Sequence, residues 1–167
     1  MARIITEDFE FEFKFERVEQ WVIEEMLFTV NLTRKGKNII NYDLLRKDKF
    51  YSYYDFSKND DPECPLHDFK KALTSKEPIV WEKMIEEDMC ICIFPHRWYP
   101  NLCNYDEKYY TIIFSPNIEQ YKGSDCYGGY DGVSFVITPT YEEFAKFVQD
   151  LEAEYNQLLN SFITTKY

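Results

Sequence analysis

The most regular pattern in the chain is Phe9-Glu10-Phe11-Glu12-Phe13-Lys14-Phe15-Glu16, where four phenylalanines alternate with charged residues. Successive side chains of a strand point to opposite faces, so the segment predicts a half-buried antiparallel strand with one apolar and one wet face. The alternation then breaks. Between Arg17 and Glu25 the apolar residues Val18, Trp21 and Val22 fall at helical spacing, which predicts one or two helical turns or a wide bend. Period two returns from Met26 to Thr33, with Phe28, Val30 and Leu32 on one face. A polar turn, Arg34-Lys35-Gly36-Lys37-Asn38, and the return Ile39-Ile40-Asn41-Tyr42 make residues 26–45 a predicted β-hairpin. The tyrosine-rich Lys49–Phe56 is a fourth strand, and the acidic, turn-forming Ser57–Pro65 is a loop.

In the second half, Pro65 opens a short predicted helix whose apolar stripe is Leu66, Phe69 and Leu73. Further helical turns are predicted over Pro78–Glu87. Met89–Phe94, Tyr109–Phe114 and Val133–Thr138 read as strands. They are separated by the proline-bounded segment Pro95–Pro100 and by the long glycine-bearing loop Ser115–Gly132. The C-terminal helix is announced by a capping box, Thr140 at the cap and Glu143 three residues on. Thr138 followed by Pro139 is the alternative cap. Phe144, Phe147, Val148, Leu151, Tyr155, Leu158, Leu159 and Phe162 then recur at intervals of three and four, a stripe suited to docking on a sheet. The expectation is a single α+β domain over residues 1–167. Its mostly antiparallel sheet of six or seven strands carries the long C-terminal helix and one or two short helices on one face.

Composition adds two facts. Aromatic residues make up 19% of the chain, with 14 Phe, 14 Tyr and 3 Trp, enough for a sizeable core and too many for a disordered segment. The net charge is −11, from 30 acids and 19 bases, which disfavours nucleic acid and anionic membranes and favours a basic protein partner. The charge is uneven: residues 34–58 hold 7 bases and 3 acids, an island read as a solvated hairpin tip. Tyr51, Tyr53 and Tyr54 follow bases there, but the surrounding acidic field argues against a single-strand nucleic-acid platform. No apolar run approaches the length of a membrane span, and the N-terminus reaches charged residues at once, so no membrane anchor or secretory signal is expected. A cytoplasmic location follows from that reading.

No Walker loop, dinucleotide fingerprint or nucleophile elbow occurs in the sequence. The five cysteines are an odd number and are read as free thiols. Cys90 and Cys92 share one face of a predicted strand, and with Cys103 and His96 they offer zinc-type ligands. Their spacing matches no familiar zinc module, so buried core roles are expected, with no cofactor and no metal needed for folding. Asp60, Asp61 and Glu63, with His67 nearby, offer oxygen and nitrogen donors or an acid–base pair, against the plain reading of a solvated acidic loop.

The loop from Tyr121 to Gly132 holds three Tyr and two Asp among four Gly. Glycine permits close approach of backbone to a partner, and tyrosine supplies contact area at low entropic cost. The competing reading is a tight turn before a strand. Trp98, Tyr99, Tyr121, Asp125, Tyr127, Tyr130 and Asp131, with the acids Asp60, Asp61 and Glu63, are therefore the expected partner-binding residues. No catalytic residue is assigned. The expected function is that of an acidic inhibitor which neutralises a basic partner, such as a bacterial toxin or a defence enzyme, as immunity and counter-defence proteins do. The alternative is a ligand-binding domain or small enzyme with a pocket between the sheet and loop 121–132.

Overall fold

The computed structural model describes residues 2–20, 24–39, 50–55, 64–82, 89–95, 109–116 and 134–165. Their fold is α+β, with every strand pairing antiparallel. The first sheet contains β1 (Ala2–Ile5), β2 (Phe9–Gln20), β3 (Glu24–Arg34), β4 (Lys37–Asn38) and β5 (Phe50–Asp55). Its order is β1-β2-β3, and the far edge of β3 is divided between β5, along Glu25–Val30, and β4, along Thr33–Arg34. The second sheet has the order β6-β7-β8-β9, from β6 (Ile79–Glu82), β7 (Met89–Pro95), β8 (Tyr110–Pro116) and β9 (Phe135–Ile137). Helix α1 (Pro65–Ala72) lies between the sheets in sequence, and α2 (Tyr141–Thr165) ends the fold. Where the sequence pattern suggested one sheet, the strands form two.

The phenylalanine alternation of β2 does what it predicts. Phe11, Phe13 and Phe15 are buried, while Glu10 and Lys14 turn outward to pair with Arg3 and Glu16. The predicted helical turns after Arg17 are instead a continuation of β2, at least as far as Gln20. Phe15 faces Phe28 but Arg17 faces Leu27, so Glu16 is an inserted residue, a β-bulge. The insertion moves the apolar phase from odd to even positions. Val18 now lies opposite fully buried Met26 and packs on the core. A bulge reads in sequence as a break in period two, which is why this stretch imitates helical spacing. The bulged Glu16 is itself anchored, accepting from Thr29 Oγ1 at 3.0 Å and from Lys14 Nζ at 2.6 Å.

Between β3 and β4, Lys35 and Gly36 have φ of 49° and 75°. Two consecutive residues at positive φ form the two-residue hairpin turn whose twist matches the strands, and glycine takes the second position without strain. Pro78–Glu87, predicted as helical turns, holds strand β6 over Ile79–Glu82. Ile79 is buried and Val80 is 51% exposed, so neighbours alternate between faces with the period of a strand.

The inward faces of both sheets and both helices share one core. Phe11 and Phe69 each meet Phe147 of α2, and Phe13 meets Phe69 of α1. Seven phenylalanines are among the largest fully buried side chains, so the core absorbs much of the aromatic excess. Helix α1 starts at Pro65, whose fixed φ suits the first helical turn, and buries Leu66, Phe69 and Ala72. For α2 the cap is Thr140. Its Oγ1 accepts from the Glu143 N–H at 3.2 Å, and Glu143 Oε2 accepts from the Thr140 N–H at 2.7 Å. Phe144, Phe147, Val148 and Leu151 are buried, whereas Tyr155 and Leu158 are only partly covered. No helix among the described residues is long and apolar enough to cross a membrane.

Candidate functional site

A cleft of about 500 Å³ opens between the β1–β2 connection and the start of α2. One wall is Thr6, Glu7, Asp8 and Phe9; the other is Tyr109 and Val136 with Thr138, Thr140 and Glu143. The first wall is a tight turn. The Thr6 N–H donates to the Phe9 carbonyl at 2.8 Å, and the Phe9 N–H donates to Thr6 Oγ1 at 3.1 Å. The β3–β4 turn braces it from behind. There the Lys35 N–H donates to the Asp8 carbonyl, Lys35 Nζ lies 3.2 Å from Asp8 Oδ1, and the Arg34 guanidinium stands 5.5 Å from the centre of the Phe9 ring. Basic residues of the positive island thus serve the protein's own acidic turn.

The second wall is fixed by backbone pairing. Tyr109 bridges Thr140, and the Tyr110 N–H donates to the Pro139 carbonyl at 2.8 Å. These contacts turn adjacent tyrosines to different fates. Tyr110 is buried and donates its hydroxyl to the Ala72 carbonyl at 3.2 Å, and burial, with a smaller contribution from Tyr141, holds its pKa above the ordinary tyrosine value. Tyr109 stays 36% exposed at the cleft, beside Val136 at 42%.

Three carboxylates line this cleft, in different states. Glu143 Oε2 is committed to the helix cap, while its Oε1 makes no hydrogen bond among the described residues. Asp8 is paired with Lys35 across exposed surface, an interaction worth about 0–1 kcal/mol and open to exchange. Glu7 is exposed and makes no ion pair among the described residues. Acid flanking an exposed aromatic ring and an aliphatic side chain is suited to a cationic group carried on an apolar stem, as in lysine or arginine.

The residues predicted from sequence as the partner-binding site, Trp98, Tyr99, Tyr121, Asp125, Tyr127, Tyr130, Asp131, Asp60, Asp61 and Glu63, lie outside the described residues, as do His96 and Cys103. What the fold does define is where their segments attach. Residues 96–108 enter β8 at its Tyr110 end and residues 117–133 leave from its Pro116 end, so the two aromatic segments begin at opposite ends of one strand, about 20 Å apart. Residues 56–63 join β5 to α1. The described cleft was not read from sequence, because its walls come from three stretches far apart in the chain. The only local signal was the short Thr6-Glu7-Asp8 interruption between two apolar strands. No group of three or more metal-binding side chains occurs among the described residues. Compared with protein-family models, curated proteins and solved structures, the chain matches none.

Proposed function

We propose that this protein is an acidic, cytoplasmic, protein-binding inhibitor that neutralises a basic partner, of the kind represented by a bacterial toxin or a defence enzyme. The observation that carries the reading is the cleft lined by Glu7, Asp8 and Glu143 together with exposed Tyr109, on a chain of net charge −11. The charge steers a basic surface inward, and the cleft takes one of its cationic side chains. The acidic and tyrosine-rich segments around Asp60, Trp98 and Tyr130 extend the contact in this reading. The test is to pair the purified chain with the basic proteins encoded beside it and to measure inhibition and association together. Stoichiometric inhibition, with association slowed by salt, is the expected result. Failure to bind any of them, together with turnover of a small molecule, counts for the enzyme class instead.

A second reading draws on the same cleft. Its volume lies in the range of small-ligand sites. A small organic cation that binds at Glu7 and is lost with Glu7→Gln, in a chain that captures no protein, would establish it.

A further inference from the structure

Strand β7 presents two thiols together on the face opposite the core. Ile91 and Ile93 are fully buried on the inward face, so Cys90 and Cys92 share the other. Residues two apart in a strand have Cα atoms about 6.6 Å apart, with side chains running roughly parallel. The two Sγ atoms are nevertheless 3.5 Å apart, so the side chains converge. Cys90 is 6% exposed and Cys92 is partly exposed. In register beside Cys92 stand Val80 and Ile113, of which Val80 is 51% exposed, so the pair is reachable from an apolar surface.

Two kinds of chemistry use paired thiols, and the geometry separates them. A disulfide needs Sγ atoms about 2.05 Å apart and Cβ atoms about 3.8 Å apart. A strand held by neighbours on both sides cannot draw Cβ atoms together by that much without breaking its ladder, and β7 is paired along its length with β8 and over Cys90–Ile93 with β6. A tetrahedral thiophilic cation with metal–sulfur bonds of about 2.3 Å keeps its two sulfurs about 3.8 Å apart. That separation is reached here by small rotations about the side-chain bonds, with the backbone left in place.

We propose that Cys90 and Cys92 form a preformed two-thiolate clip for a thiophilic divalent cation of the zinc class. Binding forms two metal–sulfur bonds and releases the two thiol protons, with no change of oxidation state. Strand pairing on both sides of β7 holds the backbone at both cysteines without a metal, so the fold does not depend on the metal.

Cadmium ion is the probe, titrated into reduced, metal-free, full-length protein, with the sulfur-to-metal charge-transfer absorption as readout. One equivalent is expected, and Cys90→Ser or Cys92→Ser should each weaken binding at least tenfold, while Cys126→Ser leaves it unchanged. In wild-type protein, one equivalent of cadmium should also slow alkylation of Cys92, read by peptide mass spectrometry, and this measurement stands even if a serine variant folds poorly. An absorption band that persists in the Cys90→Ser/Cys92→Ser protein, or alkylation of Cys92 at the same rate with and without cadmium, would overturn the proposal.

Discussion

Phe11 of β2 meets Phe114 of β8 edge-on, with ring centroids 5.6 Å apart, and this contact joins the two sheets. Both rings are buried, at 1% and 0% exposure. Among the described residues no strand of one sheet pairs with a strand of the other, so side-chain packing of this kind carries their attachment there. Phe11→Ala should therefore cost about 3–5 kcal/mol, the usual range for emptying a buried phenylalanine site. Denaturant unfolding followed by intrinsic fluorescence is the check. A loss under 1 kcal/mol would mean that the sheets are held together elsewhere.

Phe147 makes the same argument for the C-terminal helix. It is 1% exposed and its ring contacts Phe11, Phe69 and Phe144. Phe147→Ala should also cost about 3–5 kcal/mol. Because Phe11 and Phe147 touch, the double variant should depart from additivity by about 0.5–3 kcal/mol. Strict additivity in thermal and denaturant unfolding would show that the two rings act independently, against the shared core.

Tyr110 gives a pH-dependent test. Its hydroxyl donates to the Ala72 carbonyl, so Tyr110→Phe should lower stability near neutral pH by about 0.5–1.5 kcal/mol. Burial first, and Tyr141 second, hold its pKa above the ordinary value near 10. A raised pKa means that the unfolded chain loses this proton before the folded one does. The stabilisation is complete below the ordinary tyrosine value and is lost as pH rises from there through the folded pKa. The difference between wild type and Tyr110→Phe should thus narrow in alkaline solution. Unfolding free energies measured across that range check it, and a constant difference would contradict the assignment.

Where one physical rule governed a segment, the sequence was readable. Alternation alone located β2 and β3, and the capping box at Thr140 and Glu143 located the start of α2. Two competing rules defeated it elsewhere. The single residue inserted at Glu16 shifted the phase so that Val18 joined the core, and a phase shift over a few residues cannot be told from helical spacing. In β6 a strand of four residues is too short for its period to outweigh a run of apolar residues. The grouping of strands into two sheets was invisible for a different reason, since pairing partners are chosen by tertiary contacts such as Phe11–Phe114. The cleft was illegible for that reason too: Glu7, Tyr109 and Glu143 lie far apart in sequence, and they share one place because α2 packs on β1 and β2 and Tyr109 pairs with Thr140.

The partner-binding proposal makes a kinetic prediction that separates charge from contact. Opposite charges accelerate encounter, and at about 0.15 M salt screening confines that effect to about 8 Å, so association should slow as salt rises. Glu7→Lys with Asp8→Lys reverses the exposed acids of the cleft and should lower the association rate. Glu143 should be left alone, because it caps α2 and its loss would confuse binding with folding. Tyr109→Ala removes an exposed ring and should chiefly raise the dissociation rate, since packed anchors hold a complex after encounter. Asp125→Lys with Asp131→Lys, and Tyr130→Ala, apply the same two tests to the segment between β8 and β9. If the substitutions at Glu7, Asp8 and Tyr109 alter the rates while those in 121–131 do not, the cleft is the interface; the opposite pattern moves it to the tyrosine-rich segment. A complex whose rates ignore salt and all of these substitutions would refute charge-steered binding at either place.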